Sequence, residues 1–116
     1  MTITSILAVL SVTDFDAALA WYERFFGRPA DRQPMDGLAE WQITATAAIQ
    51  LVRDQERGGA ALLTLGVDDL EVHIADLAAR GLAAGTITTG VMARIATVTD
   101  PEGNTITFAE LLSPAD

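Results

Sequence analysis

The chain opens on an apolar run, Ile3 to Val12, rich in Ile, Leu and Val and closed by Thr13-Asp14. A run of this kind ending at a capping signal predicts a strand followed by a helix. Thr13 or Asp14 supplies the cap, with Asp16 three residues after Thr13 as a weak capping box. Phe15, Ala18, Leu19, Tyr22, Phe25 and Phe26 then share one helical face, a core-facing stripe that takes Tyr22 and its neighbour Trp21 inward. Gly27 can adopt the left-handed backbone that ends such a helix. Strands are expected near 30–35, 38–44 and 47–53, the first two joined by a tight turn at Asp36-Gly37.

The same plan then returns. Val67-Asp68-Asp69-Leu70-Glu71 echoes Val12-Thr13-Asp14-Phe15-Asp16, 55 residues on, and Leu62, Leu65 and Ile74 stand where Leu7, Leu10 and Leu19 stood. Ala60 to Val67 is expected as a strand, Asp69 to Arg80 as a helix closed by Gly81, and further strands lie near 86–89, 91–98 and 105–111. Asp100-Pro101-Glu102-Gly103-Asn104 is a turn before the last of them. The fold class is therefore α+β, two tandem βαβββ modules in one domain over 1–116. Module 1 covers about 1–53, a polar, flexible linker 54–59, and module 2 about 60–116.

Composition narrows the function. With 116 residues and half of them apolar, a core can form without staples, and the chain has no cysteine. The net charge of -9 disfavours nucleic acid and anionic membranes as partners and attracts cations. No uncharged apolar run is long enough to span a bilayer, and Met1-Thr2-Ile3-Thr4-Ser5 lacks the basic start of a signal peptide, so a cytoplasmic location is expected. No Gly-x-Ser-x-Gly, phosphate-binding glycine loop or His–Ser pairing appears. His73 is the single histidine and falls in the second helix.

Two motifs carry a family resemblance. Val12-Thr13-Asp14 followed by Trp21-Tyr22 and Phe26-Gly27, and Asp100-Pro101-Glu102-Gly103-Asn104 followed by a strand, together resemble the vicinal oxygen chelate superfamily over nearly the whole chain. Its members include glyoxalase I, extradiol dioxygenases, fosfomycin-modifying enzymes and bleomycin-binding resistance proteins. The resemblance implies modules whose mixed sheets curl into cups. In the enzymes a divalent metal sits there, held from the first and last strand of each module. Carried onto this chain, the ligand positions fall on Leu7, Gln50, Leu62 and Thr107. None is a carboxylate or an imidazole, and a catalytic metal wants about three such ligands. No metal, no cofactor and no catalytic residue are assigned on that ground.

If Leu7 points into the cup, strand alternation sends Val9 with it, and Leu62 with Thr64. Gln50 and Thr107 join them, with Trp41 as a candidate stacking platform and Met92 and Arg94 sharing a face of their strand. Glu40 and Glu110 are not nominated as bases. An apolar lining with a few polar points suits a small molecule. The leading expectation is a metal-free binding protein of the bleomycin-resistance type that sequesters a cationic or aromatic ligand. A glyoxalase- or dioxygenase-like enzyme with a divergent site, and a structural or regulatory dimer, remain as alternatives. A homodimer is expected under all three.

Overall fold

A computed structural model describes residues 2–112, so Met1 and residues 113–116 of the expected domain lie outside the described residues. The first half contains β1 (Ile6–Val12), α1 (Phe15–Phe26), β2 (Arg32–Met35), β3 (Leu38–Thr44) and β4 (Ala47–Arg53). The second contains β5 (Leu62–Gly66), α2 (Leu70–Ala79), β6 (Thr88–Thr89), β7 (Ala93–Thr99) and β8 (Thr105–Leu111). Each half forms one four-stranded mixed sheet, ordered β1-β4-β3-β2 and β5-β8-β7-β6. In each, the first strand runs parallel to the last and the remaining pairs are antiparallel. These are two βαβββ modules in two mixed sheets, as the repeat predicted. Pro34 is tolerated because β2 is an edge strand that needs no donor on its outer side.

Local chemistry explains the boundaries. The Asp14 side chain caps α1, accepting the Ala17 N–H at 3.2 Å, and Gly27 closes the helix at φ 75°. The expected Thr13/Asp16 capping box does not form, because Thr13 is taken by the other module. Its N–H and its hydroxyl both donate to Glu102 Oε1, and the Asp14 N–H donates to Oε2 at 2.8 Å. Asp69 caps α2 in the same manner as Asp14, accepting from the Val72 N–H at 3.1 Å. The expected second strand of module 2, near 86–89, shrinks to the two residues of β6, an edge strand.

The buried residues of both halves form one contiguous cluster, from Leu10, Tyr22 and Trp41 in the first to Leu77, Ile106 and Phe108 in the second. Phe25 of α1 stacks on Phe108 of β8, with ring centroids 5.5 Å apart. The Tyr22 hydroxyl donates to Asp100 Oδ2 at 2.7 Å, and the Asn104 amide donates to the Ser11 carbonyl at 3.0 Å. The Asp100–Asn104 turn is therefore a latch between modules. Residues 54–59 are tied down rather than loose. The Asp54 N–H donates to the Val12 carbonyl and the Gly59 N–H to that of Ser11. Gly59 (φ 86°) passes so close to Glu102 that a Cβ would lie 2.2 Å from its carbonyl oxygen, so only glycine fits.

A second junction links the helix ends. The Arg24 guanidinium donates to the carbonyls of Arg80 and Gly81, and Arg80 donates to those of Arg24 and Phe25. Each arginine thus satisfies the last carbonyls of the other module's helix, where a cation also opposes the helix dipole. No helix among the described residues is long and apolar enough to cross a membrane.

Candidate functional site

Strand register fixes which side chains leave the core together. Leu10 and Val12 of β1 are buried, so the alternate residues Leu7, Val9 and Ser11 face the opposite way, into the open concave side. Leu7 and Val9 are half exposed there, at 51% and 50%. Across the sheet Val9 pairs with Gln50, Gln50 with Glu40, and Glu40 with Arg32. One rung spanning all four strands therefore carries Val9, Gln50, Glu40 and Arg32. The next rung carries Leu7, Ala48 and Gln42.

The polar part of this cup is a connected chain. Gln50 Nε2 donates to Glu40 Oε1 at 2.6 Å, and Arg32 Nε donates to Oε2 at 2.9 Å. Arg32 Nη2 donates to Gln42 Oε1, whose amide nitrogen donates to the Thr44 and Ala47 carbonyls. The Gln50 hydrogen bond, and then Arg32, hold the Glu40 carboxyl below its ordinary range. Glu40 is therefore a paired anion with little pull on a proton or on a ligand cation. A concavity of about 230 Å³ opens at one end of this cup, between Leu7, Arg32, Gln42 and Ala48. A larger groove of about 600 Å³ runs along the outer stripe of α1 past Arg24 and Arg28, away from both cups.

The second cup follows from the same logic. Leu63, Leu65, Ile106 and Phe108 pack on the helix side, and Leu62, Thr64, Thr105 and Thr107 face outward in register. Leu62 is 86% exposed. No concavity found among the described residues is lined by cup-side residues of both sheets.

Six of the nine residues expected to line the pocket lie on the cup faces: Leu7, Val9, Gln50, Leu62, Thr64 and Thr107. Three do not. Trp41 pairs with Ile49, which shares the helix side with Leu10 and Leu51, and is fully buried. Its indole packs on Phe26 and donates to the Arg28 carbonyl at 3.1 Å, so it is core and no stacking platform. Arg94 pairs with Glu110 on the helix side and is held by Glu71 at 2.6 Å and Glu110 at 3.4 Å, out of reach of the cup. Met92 precedes β7 and is 75% exposed, with its carbonyl accepting the Leu112 N–H. Glu110 accepts the Leu70 N–H at the start of α2, a structural role.

Glu40, which sequence reasoning set aside, and Arg32, Gln42, Thr97, Thr99 and Thr105, which it did not consider, also lie on the cup faces. The signal was present in β3. Ala39 and Trp41 alternate with Glu40 and Gln42, which reads as apolar toward the helices and polar toward the cup.

The residues present do not fit the divalent metal that the superfamily resemblance implies. Leu7 and Leu62 offer no lone pair, and Gln50 and Thr107 are neutral donors. Among the described residues no three His, Asp or Glu side chains are grouped to hold a metal.

Comparison with known proteins agrees with the fold. A solved glyoxalase / bleomycin resistance protein from Catenulispora acidiphila is 32% identical and superposes with a TM-score of 0.88, covering 95% of this chain and 100% of that one. TnmS3, an antibiotic binding protein from Streptomyces sp. CB03234, is 25% identical with a TM-score of 0.81, covering 97% and 99%. A glyoxalase/bleomycin resistance protein from the same organism is also 25% identical, with a TM-score of 0.74 over 90% and 98%. No curated protein sequence matches the chain. The family model described as a glyoxalase-like domain matches residues 7–109, so with its paired βαβββ modules and motifs the chain belongs to the glyoxalase-like domain family.

Proposed function

We propose that this protein binds a small molecule in its cups without a metal and works as a homodimer. The carrying observation is the make-up of the cup faces. They present Leu7, Val9 and Leu62 as apolar surface beside Gln50, Thr64 and Thr107 as hydrogen-bonding points, with no ligating set at the positions the resemblance marks. That is pocket chemistry without Lewis-acid chemistry. The 25% identical TnmS3, described as antibiotic binding, supports a sequestering role.

The dimer rests on exposure. Leu62 and Leu111 on the second cup face, at 86% and 76% exposed, and Leu7 and Val9 on the first have no cover among the described residues. Apolar faces of this kind are ordinarily buried by a partner, and two-fold pairing would set a cup of one chain over a cup of the other. The acidic surface would draw cations toward the protein. With Trp41 in the core, however, no aromatic side chain among the described residues of the cup offers a platform for a stacked cation. Sedimentation of wild type and Leu62→Arg tests the assembly: a dimer that becomes a folded monomer is expected, and a wild-type monomer at high concentration refutes it. Calorimetric titration of a ligand panel with and without EDTA tests binding. Saturable heats indifferent to EDTA are expected, and heats that vanish with EDTA refute metal independence.

A further inference from the structure

Where the two modules meet, a slot of about 160 Å³ opens between them. Phe25 and Phe26 of α1, Leu65 of β5, His73 of α2 and Phe108 of β8 line it, with Arg80 at the end of α2. Its aromatic walls are continuous. Phe26 meets Phe25 edge to face at 5.0 Å, Phe25 stacks on Phe108 at 5.5 Å, and the His73 ring lies 5.4 Å from Phe108. Phe25 and Phe108 belong to the core, which holds these rings in place. An apolar cavity of about 150 Å³ takes up benzene, so the slot has the size for one aromatic ring. Walls of this kind favour an aromatic guest through stacked and edge-to-face contacts.

The polar end of the slot is Arg80. The sequence has seven arginines and no lysine, against 16 acidic residues. Five of the arginines pair with carboxylates: Arg28 with Asp31, Arg32 with Glu40, Arg53 with Asp36, Arg57 with Asp54, and Arg94 with Glu71 and Glu110. Arg24 and Arg80 pair with none among the described residues. Arg80 Nε and Nη2 donate to the Arg24 and Phe25 carbonyls. Both N–H groups of Nη1 are left without an acceptor among the described residues. Helix capping thus accounts for two of the three nitrogens and for none of the charge pairing. No Asp or Glu lines the slot. Arg80 stands where the slot meets the α1 groove and lines both, whereas Arg24 lines the groove alone.

We propose that this slot is a second binding site, separate from the cups, for a small aromatic carboxylate. The ring lies among Phe25, Phe26, Phe108 and His73, and the carboxylate pairs with Arg80 at the mouth. The proposal does not rest on what the cups bind.

Benzoate, its neutral analogue benzamide, and ringless acetate are titrated against the full chain. Binding is read from the ring resonances of His73, the single histidine, and the methyl resonances of Leu65. Benzoate is expected to bind about 10-fold tighter than benzamide, the worth of a hydrogen bond to a charged group, and acetate to move neither residue. Arg80→Gln is expected to weaken benzoate about 10-fold and leave benzamide within about 2-fold. Arg24→Gln removes the matching helix cap without touching the slot, and is expected to leave benzoate within about 2-fold. Equal losses in the two variants overturn the proposal. So does equal affinity of the wild type for benzoate and benzamide, a comparison that needs no variant to fold. Benzoate shifts at Leu7, Val9 or Leu62 in place of His73 overturn the slot and leave the cup reading standing.

Discussion

Tyr22→Phe isolates the latch between the modules. Tyr22 is fully buried, and its hydroxyl donates to Asp100 Oδ2 at 2.7 Å. Burial first, and then the Asp100 carboxylate, push the phenol far above its ordinary titration range, so it stays a donor at every working pH. Phenylalanine keeps the ring's packing on Trp21, Phe25 and Trp41 and removes only the hydroxyl. Asp100 is 4% exposed and retains three donors: the Glu102 N–H, the Asn104 N–H and the Asn104 amide. The carboxylate is therefore weakened rather than orphaned. A hydrogen bond to a charged group is worth about 1.5–3 kcal/mol, which places the expected loss near 2 kcal/mol. At this chain length that lowers the melting midpoint by about 8 °C. Urea unfolding followed by circular dichroism and by fluorescence gives the number, and a cycle with Asp100→Asn gives the coupling, expected at about 1–2 kcal/mol. A loss under about 0.5 kcal/mol, or no coupling, would refute the latch.

Two further perturbations follow from the module junctions. Gly81→Ala places a Cβ 2.6 Å from Arg24 Nη2 at φ 81°, so both strain and a displaced arginine are expected to cost about 1–3 kcal/mol in urea midpoints. Burial raises the Glu102 carboxyl, but the N–H groups of Thr13 and Asp14 and the Thr13 hydroxyl outweigh it, leaving it below its ordinary value of 4.5. A carboxylate with a depressed folded value contributes stability above its unfolded value and loses it as pH falls through the folded one. Stability is therefore expected to drop below about pH 4.5, and Glu102→Gln to be less stable at pH 7 with a shallower acid limb, read from melting midpoints across pH 3–7.

The fold was legible because the signals were local and repeated. Asp14 and Asp69 cap their helices, Gly27 ends the first, and Asp36-Gly37 turns the first hairpin. The cup was legible where an apolar strand set the parity, as for Leu7, Val9, Leu62 and Thr64. It failed where parity was counted from an assumed partner. Trp41 was assigned to the cup for its chemistry, and because Glu40 alternates with it, the one carboxylate on the cup rung was set aside. Arg94 is fixed on the helix side by its pairing with Glu110, a contact between strands whose register a single sequence does not display. The Glu102 clamp on Thr13 spans the chain from end to end, and it overrode a local capping pattern.

The most direct test of a metal-free pocket in the cups is a methyl and amide NMR titration of metal-stripped protein with a panel of neutral, anionic and cationic small molecules, repeated after adding zinc or magnesium. Saturable shifts confined to Leu7, Val9, Gln50, Leu62, Thr64 and Thr107, unchanged by metal, are the predicted result. Shifts that arise only with metal, or that map to the α1 groove around Arg24 and Arg28 instead, would contradict it.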